Sequence, residues 1–144
     1  MTHEDAGKYS AKHPAGTTND PAIAAAVKQK AENGRITCGA AHEIAIRLNV
    51  APAEVGKSID LMEYRIVKCQ MGLFGYSPEK KIVKPLDVIS GELENLLRSA
   101  TREGKISCAT CWEIARVIGI GKMDVSAACE GLKIKISPCQ LGAF

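Results

Sequence analysis

Shifted against itself by 70 positions, the sequence matches without a gap, and this repeat limits what the chain can become. From Gly34 to Phe74, twelve of 41 positions are identical to their counterparts in 104–144, where chance gives roughly two or three. The identical pairs include Gly34/Gly104, Ile36/Ile106, Cys38/Cys108, Glu43/Glu113, Ile44/Ile114, Ala45/Ala115, Val55/Val125, Ile66/Ile136, Cys69/Cys139, Gln70/Gln140, Gly72/Gly142 and Phe74/Phe144. Two copies of one module of about 50 residues are expected to share one fold.

Local signals place the elements of each copy. Asp20 and Ser90 are good N-caps, Pro21 suits a first helical position, and Asn33-Gly34 and Gly104 supply stops. Ile23 and Val27, and Leu93, Leu96, Leu97 and Ala100, form the inner stripes of these first helices. An extended stretch, Arg35-Ile36-Thr37 or Lys105-Ile106-Ser107, leads into a second helix. That helix lines up Cys38, Ala41, Ile44, Ala45 and Leu48, or Cys108, Cys111, Ile114, Ala115 and Ile118, at spacings of three and four. Asn49 and Gly119 suit the left-handed residue of a tight turn. A third helix from Pro52 or Lys122 buries Val55, Ile59 and Met62, or Val125, Cys129 and Leu132. Alternation around Ile66, and around Ile134 and Ile136, then predicts a half-buried strand.

Glu43-Ile44-Ala45, the turn at Asn49-Val50, Pro52 and Val55, matched by Ala115, Gly119, Ile120 and Val125, resemble the pattern of helix-turn-helix proteins. With a strand before the second helix and one after the third, each copy resembles a winged helix. The resemblance implies a mainly α fold with a small β component, built as two tandem winged-helix-like helix-turn-helix modules related by internal duplication. Copy two runs only to Phe144, so its wing is expected to be rudimentary. The expected organisation is a flexible tail at 1–19, modules at 20–76 and 90–144, and a Pro- and Lys-bearing connector at 77–89.

The same resemblance implies sequence-specific DNA binding with the third helix in the major groove. The residues support this unevenly. The faces expected to point outward carry Ala53, Glu54, Gly56, Lys57 and Asp60 in copy one. In copy two they carry Lys122, Met123, Asp124, Ser126, Ala127 and Glu130. Each face sets two carboxylates beside one lysine and offers no arginine for a bidentate contact to guanine. Phosphate contacts need cations, and the net charge of +3 permits an anionic partner without demanding one. The candidate DNA contacts are Lys57, Lys122 and Ser126 on the third helices, and Arg65, Lys68, Lys133 and Lys135 at the strands. A chain with two such modules would imitate a two-fold dimeric regulator.

Six cysteines, with Cys108 and Cys111 spaced as C-x-x-C, raise the question of a metal or cluster. The repeat answers it on paper. Cys111 aligns with Ala41 and Cys129 with Ile59, so copy one fills those places with apolar side chains, and buried cysteine packs as a small hydrophobe. Neither a metal nor another cofactor is expected. Cys38/Cys69 and Cys108/Cys139 occur in both copies. They read first as packed thiols and second as redox-sensitive pairs. Glu43 and Glu113 favour the helix dipole. His42 aligns with Trp112, and His3 and His13 fall in the tail with no fixed partner expected. No nucleophile–base set, phosphate loop or acidic dyad appears, so no enzyme is expected.

The start lacks the apolar stretch of a secretory signal and no run could span a bilayer, which predicts a cytoplasmic protein with reduced thiols and no membrane partner. The leading expectation is a DNA-binding transcriptional regulator contacting double-stranded DNA. The alternative is a non-catalytic protein-protein interaction module that keeps the fold without binding DNA. A metal- or redox-sensing regulator ranks third.

Overall fold

Helix caps and apolar spacing organise the described residues, 7–144, in a computed structural model. The chain is mainly helical with a small strand component. The first series is α1 (Pro21–Lys30), β1 (Arg35–Thr37), α2 (Cys38–Leu48), α3 (Pro52–Leu61) and β2 (Arg65–Val67). The second is α4 (Gly91–Ala100), β3 (Lys105–Ile106), α5 (Cys108–Ile118), α6 (Lys122–Leu132) and β4 (Lys135–Ile136). The order of elements repeats, and α2 and α5 begin and end 70 positions apart.

Short polar side chains start the first and second helices of each series. Asp20 accepts from the Ala22 and Ile23 amides, Thr37 from Ala40, Ser90 from Leu93 and Ser107 from Thr110, each satisfying an amide that the first turn leaves without an acceptor. Asn49 (φ 53°) and Gly119 (φ 79°) end α2 and α5 in the left-handed conformation that the turn requires. At α6 the Asp124 carboxylate reaches back 3.0 Å to accept from the Gly121 amide.

In each half the strand before the second helix pairs with the strand after the third, and both pairs are parallel. The register sets Ile36 beside Ile66 and Ile106 beside Ile136, all four buried.

Two compact units result. The first comprises the described residues through Cys69 together with Leu141–Phe144; the second is Gln70–Gln140. Both boundaries therefore fall inside the repeated Cys-Gln-x-Gly-x-Phe runs, and the connector expected at 77–89 lies within the second unit. The core of the first unit includes Ile23, Val27, Ile36, Ile44, Val55, Ile59, Ile66 and Leu141; that of the second includes Met71, Leu93, Leu97, Ile106, Cys111, Val125, Cys129 and Ile136.

The segment before α1 is not a loose tail over its described part. Residues 9–12 form a 3-10 turn whose Tyr9 ring is buried. The amides of Tyr9 and Ser10 donate to the Glu63 carboxylate at 2.9 and 2.7 Å. His13, expected to lack a fixed partner, lies 2.9 Å from the buried Asp60 Oδ2, which also holds Lys12 Nζ at 3.1 Å. The Ser58 hydroxyl donates to Asn19 Oδ1. His3 lies outside the described residues.

In the second unit, residues 81–86 pack comparably on α6. Lys81 pairs with Glu130, and the Leu86 amide donates 3.1 Å to the Ala127 carbonyl. Ile82 and Val83 donate to the Gly72 carbonyl at 2.9 and 3.2 Å. The expected connector is thus fixed to α6 at both ends of this stretch. Among the described residues no helix is long and apolar enough to cross a membrane.

Candidate nucleic-acid interface

The third helices carry the test of the groove-reading expectation, and the structure corrects their orientation. Gly56, Asp60, Ser126 and Ala127 were expected to point outward; all four are buried, with Ser126 at 0 % exposure. The cause is the covering chain. In the first unit α3 packs against α1 and α2 on one side and the 9–19 segment on another. The backbone of Leu141 also lies so close that a Cβ at Gly56 would sit 1.7 Å from its carbonyl oxygen. In the second unit the 81–86 segment does the same for α6, where a Cβ at Gly131 would lie 2.5 Å from the Leu86 carbonyl oxygen. Ser126 therefore cannot contact DNA from this position. Its hydroxyl has no hydrogen-bond partner among the described residues.

The exposed side chains of each third helix lie in its first turns, and the charges there are engaged. Lys57 Nζ is 2.9 Å from Glu54 on the same helix. Lys122 Nζ stands 4.0 Å over the Trp112 ring, a geometry in which the ring face attracts the cation. That pair borders an open hollow of about 600 Å³, with Arg116 and Met123 on its other walls. Arg116 is itself held by Glu113, which raises the guanidinium's pKa and lowers that of the carboxyl.

The strand cations are arranged differently. The parallel register places Arg65 beside Arg35 and Lys135 beside Lys105. Their neighbours Ile36, Ile66, Ile106 and Ile136 point inward, so alternation turns the cations outward. Like charges side by side repel. Lys68 follows β2 and Lys133 precedes β4; both are exposed, at φ 52° and 59°. Opposite Arg35 across a tight antiparallel bridge stands Glu32, whereas Arg102 takes that place opposite Lys105. The second sheet is the more basic: Arg102, Lys105, Lys133 and Lys135 surround it. Arg35 and Lys105 did not figure among the expected contacts, although the repeat contains the signal: a cation in each strand, at matched positions, in both copies.

The cysteines divide into two kinds. Cys111 and Cys129 are 0 % and 1 % exposed and hydrogen-bonded to each other in the core of the second unit. That bond, with burial behind it, pushes the Cys111 thiol far up, so it stays protonated. Among the described residues no group of three or more His, Cys, Asp or Glu could hold a metal ion. Cys38 and Cys108 open the second helices after β1 and β3, and Cys69 and Cys139 follow β2 and β4. Gln140, expected to serve the backbone at the strand turn, donates instead to Cys108 Sγ at 3.5 Å.

No protein-family model matches the chain, and neither a curated protein nor a solved structure matches it.

Proposed function

We propose that the chain is a non-catalytic DNA-binding regulator of tandem helix-turn-helix, winged-helix-like type that grips the phosphate backbone with strand-borne cations. The observation that carries this reading is the pairing of like charges at one register in both sheets, Arg35 with Arg65 and Lys105 with Lys135. Such neighbours cost stability when alone, and a phosphate set against each cation turns repulsion into attraction. Lys68 and Lys133 extend the two sites, while Lys57 and Lys122 are held within their own units.

Binding to a random-sequence duplex tests it. A sheet that neutralises two phosphates gives a log–log salt slope of about −1.8, so affinity falls about tenfold between 50 and 200 mM salt. Lys135→Gln is expected to flatten that slope by about one and to weaken all sequences alike. Arg65→Gln has a smaller effect, because Glu32 already faces its partner Arg35. No binding at 50 mM salt, or slopes that both variants leave unchanged, overturns the proposal.

A second reading, a protein-docking module without DNA binding, is favoured by the covered third helices and by apolar side chains left bare on α2 and α5. Ile46 is 81 % exposed and Val117 59 %. Absent duplex binding in the same titration selects it.

A further inference from the structure

Going beyond DNA binding, we propose that Cys108 and Cys139 form a reversible intramolecular disulfide by exchange with a low-molecular-weight disulfide. Three observations converge on this pair. The two cysteines recur at matched positions in both repeats, unlike Cys111 and Cys129, whose counterparts are Ala41 and Ile59. The parallel pairing of β3 with β4 carries on past the strands, with Ser137 N donating to Ile106 O at 2.8 Å and Cys108 N to Pro138 O at 3.1 Å. With standard covalent geometry, that last bond leaves the α-carbons of Cys108 and Cys139 no more than about 7 Å apart, near the span that a disulfide bridges. The Gln140 side-chain amide donates to Cys108 Sγ at 3.5 Å, where it stabilises negative charge developing on that sulfur.

Accessibility orders the steps. Cys139 is half-buried while Cys108 is 6 % exposed, so Cys139 meets the oxidant first. Its thiol loses a proton and the thiolate attacks one sulfur of the external disulfide. One thiolate departs, takes up a proton, and leaves a mixed disulfide on Cys139. Cys108, deprotonated in turn, attacks the Cys139 sulfur and expels the second small thiol. The protein gives up two electrons and two protons, and the external disulfide becomes two thiols. In the first unit Cys38 and Cys69 are both buried, at 6 % and 5 % exposure, so the same exchange there is slower.

Oxidised glutathione is the probe, applied to the folded full chain. Peptide mapping by mass spectrometry is expected to find a Cys108–Cys139 link first, with two thiols lost, a higher melting temperature and full reversal by dithiothreitol. Cys139→Ser, a change at a half-buried site, is expected to abolish the link and its effect on melting. Persistence of all six thiols in the folded protein overturns the proposal. So does a first link between Cys111 and Cys129 or between two chains, or undiminished loss of two thiols in the second unit of Cys139→Ser.

Discussion

Positions 56 and 126 occupy the same place in the two repeats and meet different demands. At Gly56 the Leu141 carbonyl takes the space of a side chain. Gly56→Ala forces that backbone away and is expected to cost about 1–3 kcal/mol, as overpacking does. Ser126 is buried with its hydroxyl unpaired. Removing the hydroxyl deletes a desolvated polar group, so Ser126→Ala is expected to stabilise by about 1 kcal/mol. Urea unfolding of the two variants checks the opposite signs. The glycine and the serine are visible as letters, but the carbonyl that presses on one of them comes from 85 residues further along the chain, and no local pattern links them.

At the scale of elements, the third helices show how far periodicity reaches. Val55, Ile59, Val125 and Cys129 are buried as their spacing requires. Periodicity defines only the face packed against regular neighbours. The other face is covered by segments at 9–19 and 81–86 that have no period of their own, so Asp60 and Ser126 read as solvent-facing when they are not.

The first covering segment hangs on Glu63. The Ser10 side chain holds its carboxyl below the ordinary range, against the opposing effect of burial, and the Ser10 and Tyr9 amides add to the lowering. A lowered folded-state pKa gives stabilisation that is complete above the unfolded value of about 4.3 and is lost as pH falls through the folded value. Protection of the Tyr9 amide from hydrogen exchange should therefore decline on acidification below about pH 4.3. In Glu63→Gln the part of that decline due to this carboxyl should vanish. An identical pH profile in the variant would remove Glu63 from the role.

At the scale of the molecule, the two units divide the repeated runs in a crossed manner. Leu141 and Ala143 from copy two are buried in the first unit, and Met71 from copy one is fully buried in the second. Leu141→Ala should destabilise the first unit and Met71→Ala the second, each by about 2–5 kcal/mol. Hydrogen exchange read by mass spectrometry separates the two, since α2 and α5 report on different units. Loss of protection in α5 but not α2 for Leu141→Ala would contradict the crossed assignment.

The residues in order were enough to determine the repeat, the helix starts and turns, the inward isoleucines of the strands and the apolar character of Cys111 and Cys129. Each of these depends on interactions within a few positions or on comparing one copy with the other. Tertiary structure alone decided that the strands pair in parallel, which cations become neighbours, what covers α3 and α6, and which unit each repeated run completes. Those outcomes are contacts between segments far apart in the chain, and spacing along a backbone carries no record of which distant partner closes a face.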